Sequence, residues 1–202
     1  ITVHLREDRR HINDKDVDEL KLQNILPLNL EMAATNEMKN ICLKTKPFSC
    51  CIVPERREEL TTEGGLNVLA QMDYLSSYLP ELINCSRVSL FVDPDRDQIK
   101  ASKKLGVHAV ELHTGRYSNL FKSNKYKEEL VRIEKAAKIC SELGLECHAG
   151  HGLNYSNVKN ISDIEQIIEL NVGHFLIGQS LFKGLTETIK EFMRLINHPK
   201  LK

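Results

Sequence analysis

Imidazoles, carboxylates and guanidinium groups recur along this chain where short apolar runs end. The run Ile1-Thr2-Val3-His4-Leu5 passes directly into Arg6, and Arg9, Arg10 and His11 follow. Glu31 closes Leu28-Asn29-Leu30-Glu31, and Asp93 closes Val88-Ser89-Leu90-Phe91-Val92-Asp93. Glu111 and His113 fall within Ala109-Val110-Glu111-Leu112-His113, and His151 and Gly152 follow Cys147-His148-Ala149-Gly150. Gly173 and His174 sit in the last apolar run. Carboxylates and imidazoles move protons when their pKa values lie near neutrality. Guanidinium groups and bare backbone N–H groups hold phosphate-like anions. The pattern suits acid–base work on an anionic substrate. Each feature also has a plainer reading: a solvated arginine run, a helix-dipole carboxylate at Glu31, a structural ion pair at Glu111, a hydrogen-bonded core imidazole at His174.

The elements that carry these residues decide between the readings. Side chains alternate along a strand, so Thr2 and His4 share one face of the opening strand and Ile1, Val3 and Leu5 the other. Asn13, Asp14 and Asp16 open a helix that ends before Pro27. A strand over 28–31 and a helix from Thr35 to about Lys46 come next, and the apolar run 47–54 predicts a strand covered on both faces. A polar loop over 55–65 leads to a helix over about 66–83, interrupted or bent near Pro80. A strand over 88–93, a helix over 94–105 with Pro94 early in it, and a strand over 109–113 follow. Beyond a loop through Lys125, the pattern predicts a helix over about 126–143 closed by Gly144. The remainder is expected as a strand over 147–150, a helix over 158–170, a strand over 172–178 and a helix over 180–196.

Seven strand–helix units in alternation imply a parallel sheet with helical crossovers. A (β/α)8 TIM barrel takes roughly 250 residues, about 30 per unit. The 202 residues therefore predict one barrel domain over 1–202 that lacks its first βα unit. Because the chain begins inside a strand without Met, its numbering is expected to start partway into a longer protein, with the opening run as the second strand. The alternative is an open doubly wound sheet, but its Gly-x-Gly-x-x-Gly marker fails: after Gly150 and Gly152, Tyr155 stands where the third glycine belongs.

Composition narrows the function. Lys+Arg and Asp+Glu are 28 each, so the basic excess of a nucleic-acid or membrane-surface binder is absent. No apolar run approaches the roughly 18 residues of a membrane span, and no signal peptide is evident. Six cysteines include no Cys-x-x-Cys pair, and adjacent Cys50 and Cys51 read as buried free thiols of a cytoplasmic protein. His148 and His151 have a metal-like spacing but fall on opposite faces, with no convincing completing ligands. No metal or cofactor is expected, and His108 and His198 read as surface residues.

Barrels of this class work at the C-terminal ends of their strands. His4 with Arg6, Glu31, the Thr61-Thr62-Glu63-Gly64-Gly65 loop, Asp93, Glu111 with His113, His151 with Gly152, and Gly173 with His174 are all expected there. The glycines of the last two strands, with a helix beginning near Ser180, offer a backbone anion site. The arginine-rich stretch offers a second, so two phosphorylated substrates would fit.

Taken in order, these motifs resemble one family over nearly the whole chain. Ile1 to Ile12, Asn29-Leu30-Glu31-Met32, Val53-Pro54-Glu55, Thr61 to Leu66, Glu111 to Gly115, Ala149 to Tyr155 and Leu170 to His174 are similar to pyridoxine 5'-phosphate synthases. The resemblance implies a TIM barrel that condenses 1-deoxy-D-xylulose 5-phosphate with 3-amino-2-oxopropyl phosphate, giving pyridoxine 5'-phosphate, phosphate and water. It implies His4 and Glu31 as proton acceptors, His151 as proton donor and Glu111 as the group stabilising transition-state charge. Arg6, His11 and Thr61 would hold the deoxyxylulose phosphate, and Gly152, Gly173 and His174 the phosphate of the amino ketone. A homo-octamer built from dimers is also implied. The family's first strand carries an Asn-x-Asp-His motif and a substrate-binding arginine that this sequence does not contain. Other readings stay open: a phosphosugar isomerase or aldolase, although no strand end carries a Schiff-base lysine, or a truncated barrel that only binds phosphosugars. The loop 55–65 is the candidate to close over substrates, and Arg9 and Arg10 receive no role.

Overall fold

The computed structural model describes residues 1–55 and 64–196. Among them, β1 (Thr2–His4), α1 (Asp14–Gln23), β2 (Asn29–Met32), α2 (Asn36–Thr45), β3 (Ser49–Ile52), α3 (Met72–Cys85), β4 (Arg87–Val92), α4 (Arg96–Lys104) and β5 (Ala109–His113) alternate without a break. Next come α5 (Gly115–Phe121), α6 (Lys127–Glu142), β6 (Glu146–Gly150), α7 (Val158–Ser162), β7 (Ile167–Asn171), α8 (His174–Lys183) and α9 (Leu185–Leu195). The chain divides into two compact units, Ile1–Glu111 and Leu112–Lys202, with the boundary inside β5.

In the first unit β1, β2, β3 and β4 pair parallel in sequence order. The register aligns Val3, Leu30, Cys50 and Val88 in one row and His4, Glu31, Cys51 and Ser89 in the next. Because side chains alternate, the two rows face opposite ways. Leu30, Cys50 and Val88 are fully buried in an apolar core with Met38, Cys42, Leu75, Leu79 and Leu82 from α2 and α3. The other face is polar: the Asn29 amide donates to Thr2 Oγ1 (3.2 Å), and the Ser49 hydroxyl donates to Asn29 Oδ1 (2.9 Å).

Caps fix where the helices start. Asn13 accepts from the N–H groups of Lys15 and Asp16, and Asp16 returns the bond from the Asn13 N–H, a complete capping box. Thr35 caps α2 through the Met38 N–H, as the sequence predicts. Asp95 caps α4 through Asp97 and Gln98, which puts Pro94 ahead of the helix rather than in its first turn. The helix expected over 66–83 begins only at Met72, and α3 runs through Pro80 instead of breaking there. Residues 66–71 turn against the Gln98 side chain, which accepts from the N–H groups of Val68 and Leu69.

The second unit departs further from expectation. The supposed loop before Lys125 contains α5, anchored by the fully buried Tyr117, whose ring meets Phe121 and Tyr126 edge-on. No side chain caps α5, so the usual start signal is missing. The helix expected over 158–170 ends at Ser162, and Ile167–Asn171 instead forms β7, parallel to β6. A register shift at Cys147/His148 leaves Ile168 as the extra residue of a bulge. Most of the strand expected over 172–178 falls in α8 instead, and His174 opens that helix rather than lying in a strand. A short apolar run without periodicity does not distinguish strand from helix, and here pairing with β6 selected the segment before it.

Leu30 is fully buried between two strands, so truncation leaves a cavity that the ladder holds open. Leu30→Ala is expected to lower the unfolding free energy by about 3 kcal/mol, read as a lower urea midpoint at unchanged slope.

Candidate active site

The polar row of the first unit gathers the chemistry. His4, Glu31 and Cys51 are successive partners across β1, β2 and β3, and the Cys51 thiol points its hydrogen at Glu111 Oε2, 3.8 Å away. His4 Nδ1 lies 3.8 Å from Glu31 Oε2, and His4 Nε2 lies 3.4 Å from Glu55 Oε2. Burial raises the Glu31 carboxyl from its ordinary 4.5 to about 7. Burial also lowers the His4 imidazole, with Arg6 adding to the fall, while Glu55 and Asp8 oppose it. The Cys51 thiol is pushed well up by burial and by the charges of Glu111 and Glu31. A base that is neutral and an acid poised near pH 7 thus stand next to each other.

The cationic stretch sorts itself into two kinds of arginine. Arg6 is buried, with its Nε 3.4 Å from Asp8 and 3.8 Å from Glu55. Arg9, whose φ of 53° turns the chain back, binds Asp14 and Glu37 in the first turns of α1 and α2 and donates to the Glu7 carbonyl (3.0 Å). Arg10 pairs with Asp8 at 2.7 Å. Arg9 and Arg10 therefore secure the turn, and His11 is exposed beyond them. Thr61 lies outside the described residues, as does most of the loop 55–65. Its glycine end is described: the Gly65 N–H donates to Asp93 (3.3 Å), and a Cβ there would run into the backbone of Val92 and Asp93.

In the second unit His151 follows β6 with φ at 82°, a conformation that non-glycine residues seldom adopt. Its carbonyl accepts from Thr114 Oγ1 at 2.7 Å, and the Thr114 hydroxyl also reaches the Gly150 carbonyl at 2.7 Å. The His113 and His151 rings lie 5.0 Å apart. Gly115 makes that approach possible, since a Cβ there would stand 2.5 Å from His113 Nε2 and 2.8 Å from His151 Cδ2. Burial, then His113 and His174, lower the His151 imidazole. Gly152 has φ at 78°, and a Cβ on it would meet Ser118. Gly173 occupies the N-cap position of α8 and His174 its first residue, with no capping side chain. First-turn N–H groups left without intrahelical acceptors make an anion site. The helix expected to begin near Ser180 starts at His174 instead.

His148 stands apart from His151, 3.6 Å from both Glu146 and Glu169. His108, expected at the surface, accepts the Val88 N–H at 3.0 Å on its Nδ1 and is half-buried, while His198 lies outside the described residues. Among the described residues no three His, Cys, Asp or Glu side chains are grouped to hold a metal ion, and no helix is long and apolar enough to cross a membrane. Glu55, Cys51, His113 and Gly115 carry contacts that the sequence did not assign. The quoted motifs Val53-Pro54-Glu55 and Glu111-Leu112-His113-Thr114-Gly115 pointed toward three of them, and the position of His113 at a strand end pointed to it as well.

Seven strands among the described residues, with helical crossovers and polar groups at the strand ends, define an α/β fold of the TIM-barrel class, and seven fit a barrel lacking one unit. The fold is similar to that of 3-keto-L-gulonate-6-phosphate decarboxylase from Vibrio cholerae, with a TM-score of 0.63 at 12% identity, covering 96% of this chain and 84% of that one. KGPDC from Streptococcus mutans gives 0.65 at 12% identity over 97% and 83%. The family model described as "Pyridoxal phosphate biosynthesis protein PdxJ" matches residues 1–198, and the chain belongs to that family. Pyridoxine 5'-phosphate synthase of Zymomonas mobilis is 52% identical over 198 residues, 98% of this chain and 77% of that protein. The synthase of Sulfurihydrogenibium sp. is 49% identical over 97% of this chain and 82% of that protein.

The raised Glu31 carboxyl carries a stability signature. A folded-state pKa of about 7 against an ordinary 4.5 leaves the native state unpenalised below pH 4.5 and increasingly penalised as pH rises through 7. Glu31→Gln removes the penalty. With the side chain 21% exposed, the variant is expected to be more stable than the wild type by about 1–3 kcal/mol at pH 8 and equal to it near pH 4.5. Urea unfolding at both pH values checks this, and a pH-independent difference would contradict it.

Proposed function

We propose that the chain is a pyridoxine 5'-phosphate synthase, joining 1-deoxy-D-xylulose 5-phosphate to 3-amino-2-oxopropyl phosphate with release of phosphate and water. Membership of the PdxJ family and 52% identity to the Zymomonas mobilis enzyme support the reaction. The observation that carries the mechanism is the row of His4, Glu31 and Cys51, with Glu111 reached through the Cys51 thiol and Glu31 poised near pH 7. Condensing an amine with a ketone, expelling phosphate and closing an aromatic ring all require protons to leave carbon and nitrogen and reach departing oxygens. Groups with pKa values near the working pH serve that traffic best, each typically by ~10²–10⁴-fold.

In this reading His4, held neutral, and Glu31 accept protons. His151 donates: an imidazole with a lowered pKa is a stronger acid once it has taken up a proton. Glu111 stabilises positive charge that develops as the amine condenses. Arg6 and His11, with Thr61, hold the deoxyxylulose phosphate. Gly152, Gly173 and His174 hold the second phosphate, which the left-handed Gly152 and the uncapped start of α8 favour. The chain acts as one barrel domain, in the cytoplasm, as a homo-octamer. Light scattering of the purified protein tests the last point against the 23.1 kDa of one chain.

Mixing the protein with both substrates is expected to yield pyridoxine 5'-phosphate, followed by chromatography of the product. His151→Ala should abolish turnover while the melting temperature holds, and Glu111→Gln should lower kcat by at least ~10²-fold. An active His151→Ala variant would remove the donor role. A Glu111→Gln variant with full activity and a lowered melting temperature would make Glu111 structural.

A further inference from the structure

Glu55 lies just beyond β3, and none of the roles above uses it. Its side chain is 2% exposed. Oε1 accepts the Glu7 backbone N–H at 2.9 Å, and Arg6 Nε lies 3.8 Å from the same oxygen. That backbone bond fixes the rotation of the carboxylate and leaves Oε2 facing His4 Nε2 at 3.4 Å. On the other side of the ring, Nδ1 faces Glu31 at 3.8 Å. The imidazole therefore stands between two carboxyl groups, one tied down and one not.

We propose that Glu55 is a positioning residue for His4, holding the tautomer that carries its hydrogen on Nε2 and so presenting Nδ1 as the basic nitrogen on the side of Glu31. A carboxylate only accepts hydrogen bonds, so the neutral ring satisfies Glu55 only with the hydrogen on Nε2. Nδ1 is then left with a lone pair, directed to the side from which a protonated Glu31 can donate to it. His4 and Glu31 act as one pair that can hold a proton on either member, and Glu55 sets which ring nitrogen takes part. Carboxylates that orient a working imidazole in this way set its tautomer and raise its basicity. Among the described residues, the charged groups facing His4 are Glu55, Glu31, Arg6 and Asp8. Glu55 is the one that also grips the backbone at Glu7.

The catalytic consequence rests on the synthase reading, whereas the tautomer does not, and the two are measured separately. Long-range ¹⁵N–¹H correlation spectra of histidine-labelled protein at pH 8, with His4 assigned by its loss in His4→Gln, read the tautomer without substrate. The expected pattern is a protonated Nε2 and an unprotonated Nδ1, and the reverse pattern overturns the proposal. In the synthase assay, Glu55→Gln is expected to lower kcat by roughly 10–100-fold with KM changed less than about threefold. Its acid limb in the pH profile should move to lower pH, because the charge that favours the imidazolium is gone. A Glu55→Gln enzyme with wild-type kcat and pH profile and only a lower melting temperature would make Glu55 structural. A wild-type protein that forms no product refutes the synthase reading, while the spectra still decide the tautomer.

Discussion

The first unit depends on the in-register parallel ladder that sets His4, Glu31, Cys51 and Ser89 side by side. Because the side-chain period of a strand is two, slipping any one strand by a single residue would turn its member of this row to the other face. The apolar row of Leu30, Cys50 and Val88, fully buried, is what makes such a slip costly. Packing on one face thus determines chemistry on the other. The electrostatics follow from the same alignment. Glu31 is largely withdrawn from water and its carboxyl rises to about 7, and the Cys51 thiol between Glu31 and Glu111 is pushed further up. An uncharged sulfur beside the two carboxyl groups adds no third charge to the row, and its hydrogen points to Glu111.

Among the described residues, the arginines that follow β1 are mostly paired. Arg9 and Arg10 bind Asp14, Glu37 and Asp8, and so stabilise the turn that follows β1. They leave Glu31 to its burial, which is what keeps its pKa high. A guanidinium turned toward Glu31 would lower that pKa and give up the acid–base poise on which the proposed reaction relies. Arg6 differs from its neighbours in being buried at the strand end, where a substrate phosphate could compete with Asp8 for it.

Much of this was legible in the sequence, because the signals were local. Caps at Asn13 and Thr35, the period-two alternation around His4, and the unbroken apolar run over Cys50 and Cys51 each follow from near-neighbour chemistry. So does the family resemblance, carried by motifs of four to twelve residues. The failures were of another kind. α5 has no cap, and its evidence is the burial of Tyr117 among Phe121 and Tyr126. The segments 167–171 and 172–178 are both apolar, and only the partner strand β6 decides which becomes β7. Glu55 is one acidic residue in a charged loop until Glu7 and His4 are seen against it. Contacts made across forty or fifty residues leave no mark in composition or spacing.

His151 illustrates how the second unit concentrates constraint where a reactive side chain is needed. Left-handed backbone at a non-glycine residue is uncommon and costs of order 1–3 kcal/mol, so it persists only if its surroundings impose it. Thr114 does so by bonding the carbonyls of both Gly150 and His151 with one hydroxyl. Gly115 contributes by lacking a side chain where His113 and His151 converge, and Gly152 continues the left-handed backbone beside Ser118. The backbone thus sets the direction from which the imidazole leaves the loop. The two histidines are fixed by different means, a buried carboxylate for one and a strained turn for the other. Those means suit the opposite duties proposed for them. Burial lowers both imidazoles, but the carboxylate beside His4 opposes the fall and favours a base, whereas the imidazoles beside His151 add to it and favour an acid.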